Sequence, residues 1–377
     1  MRADVLVVGG GLGGVAAALA AACAGRSVIL TEEFDWLGGQ LTSQAVPPDE
    51  HSWIEQFGAT ASYRELRHGI RDYYRRHYPL TERSRAWTDL NPGAGWVSRL
   101  CHEPRVAVAV LEQMLAPYRG SGRLTVLQPY RPVAAETDGD RVTGVTLVHR
   151  DRDERIEVEA PYVLDATETG ELLPLTGTEY VTGFESQAQT GEPSAPAEAQ
   201  PLNMQAVSVC FALDHVDGDH TIDRPAGYDF WRDYKPDFWG DRLLSWRSPH
   251  PRTLEIVERS FAEPGRRPAG RQRRPAAQPG RRQPVDVPAH RGTAQLRRRR
   301  VRQRHHARQL ADDRLLRGPV IDVPNASWHL SQARELSYSV LYWLQTEAPR
   351  ADGGTGYPGP RLRGDVTGSP DGLAQAP

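Results

Sequence analysis

The chain has 377 residues, enough to bury a large core, and its formal net charge at pH 7 is −2. Its three cysteines, Cys23, Cys101 and Cys210, are widely spaced, which excludes a disulfide-stabilised secreted scaffold and a cysteine metal site and indicates a cytoplasmic protein. No stretch has the roughly 20 apolar residues of a membrane-spanning helix, so the sequence predicts no membrane partner.

The first 33 residues predict a strand, a helix and a second strand. Residues 5–8 are apolar and β-branched, residues 13–24 are rich in alanine, and residues 27–31 again have a strand pattern. Gly25 marks the end of the helix. This order is typical of the βαβ unit that begins a doubly wound sheet.

Glycines stand between the first strand and the helix in the spacing G-x-G-x-x-G, at Gly9, Gly11 and Gly14. In such a fingerprint the first glycine permits a sharp turn, the second lets a pyrophosphate approach the backbone, and the third lets helix and strand pack closely. Glu32 ends the second strand, where its carboxylate can accept hydrogen bonds from both ribose hydroxyls. The combination predicts a dinucleotide site; the alternative is a glycine-rich turn in an unrelated α/β domain.

The fingerprint alone does not distinguish NAD(P) from FAD. A Gly-Gly pair, Gly38 and Gly39, follows the acid. Residues 131–164 alternate strand-like stretches with the turns DGD and RDRDE, which is typical of a β-meander, and then run into DATETGEL.

These residues resemble the FAD-dependent oxidoreductase family of the glutathione-reductase-like flavoprotein superfamily, whose members open with G-x-G-x-x-G, then a glutamate, then L-G-G. The resemblance covers about residues 3–261 and 318–377. It implies FAD as the cofactor and a Rossmann-like α/β domain with a parallel sheet and a β-meander crossover. It also implies hydride transfer between a small organic substrate and the flavin.

The resemblance also assigns cofactor-binding residues. Those implied to hold the pyrophosphate and the adenosine ribose are Gly9, Gly11, Leu12, Gly13 and Glu32. Those implied to lie along the diphosphate and ribityl chain are Gly38, Gly39 and Gln40. The backbone of Val133 would meet the adenine, and Ala166 and Thr167 would begin a second cofactor turn. The family has glycine after Ala-Thr, whereas this chain has Glu168 there and a delayed Gly170.

The same reasoning divides the chain into interleaved parts. The predicted FAD-binding domain comprises residues 1–45 and 123–185, and a cap or substrate domain comprises residues 46–122 and 186–262. Helices are expected over residues 63–78 and 103–118, and a strand within residues 204–219. No catalytic residue is identified. His102 is expected to cap the following helix or to be exposed, although a histidine near a flavin can move protons.

Residues 263–317 form an anomalous stretch before residues 318–377 return to family-like sequence. Positions 264–317 contain 17 arginines, three aspartates, no glutamate and no aromatic residue, which gives a formal charge of +14 and no means of building an ordinary core. The stretch is interpreted as a disordered linker, a nucleic-acid-binding arm, or the product of a shifted reading frame. We favour the shifted frame because the chain has a single lysine, Lys235, against 45 arginines, which suggests GC-rich codons.

The sequence thus predicts an FAD-dependent oxidoreductase with a small-molecule substrate. The alternatives are an NAD(P)-dependent Rossmann dehydrogenase and an inactive fragment or nucleic-acid-binding protein, of which nucleic-acid binding is not favoured. Family members continue beyond the residue that corresponds to Pro377, so a C-terminal truncation is also expected. The oligomeric state is not predicted.

Overall fold

The computed structural model describes residues 1–95, 97–236, 239–250, 253–261 and 318–377. The arginine-rich stretch lies outside the described residues, so its three interpretations stay predictions.

A parallel sheet of four strands forms the N-terminal part of the chain. Its strands, in spatial order, are β3 (Leu124–Leu127), β2 (Val28–Thr31), β1 (Val5–Val8) and β7 (Tyr162–Asp165). In the register of the sheet, Val7 pairs with Leu30 on one side and with Leu164 on the other. The chain runs outward from β1 to β3 and returns at β7, so the strand order reverses beside β1, where doubly wound sheets bind ligands. The predicted Rossmann-like α/β fold is confirmed.

Helices cover one face of this sheet. They are α1 (Leu12–Cys23), α2 (Ala61–His77) and α4 (Pro104–Gly120), with the short α3 (Glu82–Ala86) between the last two. Thr60 caps α2 by accepting a hydrogen bond from the Tyr63 N–H at 3.2 Å. Leu66 of α2 and Leu111 of α4 share one core with Val7. The helices predicted over residues 63–78 and 103–118 are therefore confirmed, and they pack beside the parallel sheet. The division of the chain into an FAD-binding domain and a cap domain stays a prediction.

The predicted β-meander covers the other face. Its strands β4 (Tyr130–Asp138), β5 (Arg141–His149) and β6 (Arg155–Glu159) are antiparallel. Because successive side chains of a strand point to opposite faces, Leu6 and Val8 pack against Leu147 of the meander while Val7 faces the helices.

The later described residues form the elements β8 (Leu213–His215), α7 (Tyr228–Asp233), β9 (Arg247–Pro249), β10 (Ile256–Glu258), α8 (Ala326–Thr346), β11 (Pro360–Leu362) and α9 (Gly364–Thr367). Buried side chains of α7 and α8, such as Trp231 and Leu336, share one hydrophobic core. Two short helices, α5 (Leu172–Thr176) and α6 (Gln187–Thr190), follow β7. The strand expected within residues 204–219 is β8, which pairs antiparallel with the equally short β11. Residues 318–377, which the sequence analysis expected to return to family-like sequence, contain the 21-residue helix α8.

Candidate cofactor site

Three loops meet at the carboxyl ends of the parallel strands. Gly9 follows β1, Glu32 follows β2, and Ala166 follows β7. The Gly9 N–H donates to Thr31 Oγ1 at 3.2 Å, and the Ala166 N–H donates to the Val8 carbonyl at 2.7 Å. The loop after β1 is thus tied to the end of β2 by the Thr31 side chain, and to the loop after β7 by a backbone hydrogen bond at the point where the strand order reverses.

The three fingerprint glycines have different reasons for lacking a side chain. A methyl group added at Gly9, whose φ is +101°, would overlap the Ala166 carbonyl, and one added at Gly14 would overlap the Gly9 carbonyl oxygen. Both glycines are therefore required by the protein's own packing. A methyl group at Gly11 would meet only the far end of the flexible Glu168 side chain, at 2.8 Å. The chain's backbone packing does not require glycine at position 11.

The Gly38–Gly39 turn docks on the fingerprint. The Gly38 N–H donates to the Gly10 carbonyl at 2.8 Å, and the φ of Gly38, +111°, is one that glycine tolerates. A Cβ at Gly39 would lie 3.1 Å from the Gly11 Cα, so the two glycine backbones face each other directly. Residues separated by more than 25 positions thereby form one backbone cradle at the N-terminus of α1.

Glu32 lies at the edge of this cradle and is only 6% exposed. Its Oε2 accepts from the Gly10 N–H at 2.9 Å and its Oε1 accepts from the Phe34 N–H at 2.7 Å. Burial raises the pKa of Glu32 to about 7, despite the two backbone donors. Each carboxylate oxygen has a second lone pair, so ribose hydroxyls can still donate to it.

The remaining predicted residues occupy two neighbouring regions. Val133 lies at a register shift between β4 and β5, and β4 begins beside Glu32, whose carbonyl accepts from the Tyr130 N–H at 2.8 Å. The Thr167 hydroxyl donates to Asp165 Oδ1 at 2.6 Å and accepts from the Glu171 N–H at 2.8 Å, which fixes the turn after β7.

Three predicted residues lie at the two ends of the cradle. Leu12 begins α1, Gly13 is exposed in its first turn, and Gln40 lies in a single 3₁₀ turn, Gly39–Leu41. The Gln40 side chain donates to the Pro47 carbonyl at 3.3 Å.

Glu168 is the site residue whose position the sequence did not predict. The sequence shows glutamate in place of the family's glycine at this turn, but it does not show where the side chain lies. In the structure, the Glu168 carboxyl lies over both Gly11 and Gly39. Gln44 contacts the same carboxyl, with Nε2 donating to Oε2 at 3.4 Å. A charged residue at a family glycine position was the signal available in the sequence.

His102 corrects an expectation. It is buried, at 9% exposure, and the N-cap of α4 is Glu103, so His102 neither caps the helix nor is exposed. Its Nδ1 lies 3.0 Å from the Leu100 carbonyl oxygen. Burial lowers the pKa of His102, although the carbonyls of Leu100 and Leu41 act to raise it.

The last described residues form hydrogen bonds with the segments just before and just after the Gly38–Gly39 turn. The Ala376 N–H donates to the Ser43 carbonyl at 3.1 Å, and the Asp35 N–H donates to Gln375 Oε1 at 3.1 Å. No sequence pattern singled out this contact, because it joins positions that are 340 residues apart.

These features fit a dinucleotide. The cradle leaves the Gly11 backbone open except for a movable side chain, and it lies at the N-terminus of a 12-residue helix, which favours an anion. A buried carboxylate ends β2, at the distance along the chain that the fingerprint requires.

Comparison with protein families gives the assignment. The model of the family described as FAD dependent oxidoreductase matches residues 4–375. The chain belongs to this FAD dependent oxidoreductase family. FAD is therefore the cofactor that membership implies, in agreement with the open cradle. A comparison with curated proteins gave no match.

Three solved structures that are similar to this chain cover only part of it. L-proline dehydrogenase from P. horikoshii is 18% identical over 44% of this chain and 22% of that chain, with a TM-score of 0.24. Glycerol-3-phosphate dehydrogenase from Bacillus halodurans, complexed with FAD, is 17% identical over 44% of this chain and 34% of that chain, with a TM-score of 0.29. OxyS anhydrotetracycline hydroxylase from Streptomyces rimosus is 18% identical over 58% of this chain and 39% of that chain, with a TM-score of 0.30. The chain thus spans about a fifth to two fifths of these proteins, and such low scores assign it no activity.

The part of the chain that the structure describes has neither a metal-binding cluster nor a membrane-spanning helix. No group of three or more histidine, cysteine, aspartate or glutamate residues there is arranged to hold a metal ion. No helix there is both long enough and apolar enough to cross a membrane.

Proposed function

We propose that this chain binds FAD at the cradle formed by Gly9–Gly14 and Gly38–Gly39 and acts as an oxidoreductase on a small organic substrate. The observation that carries the proposal is the open face of Gly11. Its missing side chain has no explanation in backbone packing, and it faces a second bare glycine backbone. A pyrophosphate needs such a close approach to the main chain.

Each part of the cradle has a separate role in this proposal. The N–H groups of the first turn of α1, at Leu12, Gly13 and Gly14, would bind the pyrophosphate, because a helix leaves these donors without internal partners. Glu32 would accept hydrogen bonds from the ribose, and the backbone of Val133 would meet the adenine. Gly38, Gly39 and Gln40 would line the path toward the flavin. The turn at Ala166 and Thr167 would close the site.

Bound FAD would supply hydride transfer at its flavin ring, and the protein would supply orientation and exclusion of water. No catalytic residue is proposed. The substrate is proposed only as a small molecule, and the cytoplasmic location is proposed from the sparse, widely spaced cysteines Cys23, Cys101 and Cys210.

An NAD(P)-dependent dehydrogenase is the second candidate, since it uses the same fingerprint. The Gly38–Gly39 turn against Gly10 favours FAD, because the resemblance assigns that second glycine pair to the longer flavin dinucleotide. A nucleic-acid-binding role would depend on residues 264–317, outside the described part of the chain.

The deciding experiment is dinucleotide binding by the full chain. We expect FAD to bind with quenching of flavin fluorescence and to raise the melting temperature, and we expect no such stabilisation by NADH or NADPH. Gly11→Ala should abolish FAD binding, because the added methyl group takes the space of the pyrophosphate. Gly120→Ala is the matched control, since a Cβ there meets nothing within 4 Å and the residue lies at the far end of α4.

Stabilisation by NADH or NADPH without FAD binding would favour the dehydrogenase instead. Equal FAD binding by Gly11→Ala and the parent would show that the cradle is not the site.

A further inference from the structure

The Glu168 carboxylate rests on the cradle itself. A Cβ placed on Gly11 would lie 2.8 Å from Glu168 Oε1, and a Cβ placed on Gly39 would lie 2.8 Å from the same oxygen. One carboxylate oxygen therefore covers both bare backbones at once. On its other side, Oε2 accepts from Gln44 Nε2 at 3.4 Å.

This position adjoins the positive end of α1. The Cβ position of Gly39 that meets Glu168 Oε1 is also 3.6 Å from the Leu12 nitrogen, the first amide of the helix. Amides of a first helical turn lack partners within the helix, and the helix dipole makes them favour negative charge. The carboxylate is thus an anion at the place where the proposed function puts the pyrophosphate.

The charges around Glu168 make its presence there costly. In the part of the chain that the structure describes, Glu168 forms no salt bridge, while Glu171 and Glu32 both lie within electrostatic reach. Burial, and then the charge of Glu171, raise the pKa of Glu168, and the Gln44 hydrogen bond only partly opposes this. Besides the Gln44 hydrogen bond, the N-terminus of α1 beside the carboxyl is the group expected to favour its negative charge.

We propose that Glu168 is an intramolecular competitor of the dinucleotide: its carboxylate takes the pyrophosphate position, and the side chain must swing away before FAD can bind. The proposal rests on the FAD site proposed above. The contact involves only the far end of a flexible side chain, so the exchange needs no backbone movement. Its consequence is that FAD binds more weakly than the cradle itself would allow.

The test compares FAD affinities, measured by quenching of flavin fluorescence, for the parent chain, Glu168→Gln and Glu168→Ala. Glu168→Gln keeps the size of the side chain and removes its charge. We expect both variants to bind FAD about tenfold more tightly than the parent, because a like charge within several ångströms of the pyrophosphate is removed. Glu171→Gln is the matched control, since it removes a neighbouring negative charge that does not cover the glycines, and its affinity should change by less than about threefold.

Three outcomes would overturn the inference. If the parent and both Glu168 variants bind FAD equally, Glu168 is no competitor, whereas the FAD site itself stands. If Glu171→Gln gains as much FAD affinity as Glu168→Gln, the gain comes from removing any nearby negative charge and not from clearing the carboxylate that lies over Gly11 and Gly39. If none of the chains binds FAD while circular dichroism shows them folded, the proposed FAD site fails and this inference fails with it.

Discussion

Glu32 combines deep burial with a charge that the proposed site needs. Its two oxygens already accept hydrogen bonds from the backbone N–H groups of Gly10 and Phe34, so it ties the fingerprint loop to the segment after β2. The proposed function gives the same carboxylate the ribose hydroxyls. Burial raises its pKa to about 7. Without cofactor, ionising this residue near neutral pH therefore opposes folding.

The free energy of unfolding of the cofactor-free protein should depend on pH through Glu32. A glutamate ionises at about 4.5 in the unfolded chain and at about 7 in the fold, so its contribution is fully present below pH 4.5 and is lost as pH rises through 7. The loss is about 3 kcal/mol at most. Urea unfolding between pH 5 and 8 should show this slope in the parent and a smaller slope in Glu32→Gln. Glu136→Gln, an exposed glutamate on β4, is the control, and an unchanged slope in Glu32→Gln would contradict the prediction.

The fingerprint glycines should separate into folding and binding positions. Gly14→Ala should destabilise or unfold the protein, because its methyl group would overlap the Gly9 carbonyl. Gly11→Ala should keep the parent's melting temperature within a few degrees and lose FAD. Thermal unfolding followed by circular dichroism measures the difference. A large fall in melting temperature for Gly11→Ala would mean that packing, too, requires this glycine.

At this scale, sequence reasoning located the glycines and Glu32 because their spacing reflects local geometry between strand and helix. It did not predict that the Glu168 carboxyl lies over Gly11 and Gly39, or that His102 is buried. Both features depend on contacts between segments that are far apart in the sequence, and no local sequence pattern predicts such contacts.

Helix α2 illustrates how an element with a polar sequence is buried. The Arg71 side chain is 1% exposed, and its two terminal nitrogens, Nη1 and Nη2, donate to the Glu55 carboxylate at 3.0 and 2.6 Å. Its Nε donates to the Leu90 carbonyl at 2.9 Å. Arg67 forms further ion pairs with Glu50 and Glu55. Burial acts to raise the pKa of Glu55, but the hydrogen bonds and charges of Arg71 and Arg67 outweigh it, and the pKa is lowered.

Breaking this network should cost far more than breaking an exposed pair. Arg71→Ala leaves Glu55 without one of its two buried partners, and we expect a loss of about 3 to 5 kcal/mol in the free energy of unfolding. Arg119→Ala in α4 removes an ion pair with Glu112 whose side chains are 45% and 39% exposed, and should cost less than about 1 kcal/mol. Urea denaturation compares the two, and similar losses would refute the assignment of stability to the buried network.

The sequence predicted the helices and strands better than it predicted contacts between individual residues. The strand, helix and strand at the N-terminus, the β-meander and the two helices all had clear periodicity. Periodicity predicted α2 but not its ion pairs, since arginines on a helix usually face solvent. The strand within residues 204–219 was predicted but its partner β11 was not, because β11 lies more than 130 positions later in the chain.

Across the whole molecule, the cradle depends on residues from both ends of the described chain. Gln375 bridges the Asp35 N–H and the Thr367 carbonyl, each at 3.1 Å, and so ties the segment before Gly38 to the last helix, α9. This support holds the Gly38–Gly39 turn against Gly10.

Removing that bridge should weaken cofactor binding from a distance. Gln375→Ala loses the hydrogen bonds of this side chain to the Asp35 N–H and to the Thr367 and Gly368 carbonyls. Each contributes about 1 kcal/mol and part of this holds the turn in place, so we expect FAD affinity to fall about fivefold. Equilibrium titration with FAD measures it. Asn203→Ala, which loses only a local hydrogen bond to Gln200, should bind FAD like the parent. Unchanged affinity in Gln375→Ala would show that the turn does not need this support.

The arginine-rich stretch leads to a prediction about the gene. If residues 264–317 come from a shifted reading frame, one of the other two frames across this interval should encode apolar, aromatic-containing sequence that joins residue 261 to residue 318. Sequencing and translation of the interval test this directly. If neither frame contains such sequence, the arginine-rich stretch has to be treated as native.

The contact between Asp35 and Gln375 also bears on how the protein is made. A ribosome releases the fingerprint and its helix early, but the residues that brace the second glycine pair follow about 340 positions later. During synthesis the early half of the cradle can form while the later brace is still missing. Because the brace is expected to contribute about fivefold to FAD affinity, a nascent chain that lacks it should bind FAD more weakly than the chain that includes Gln375.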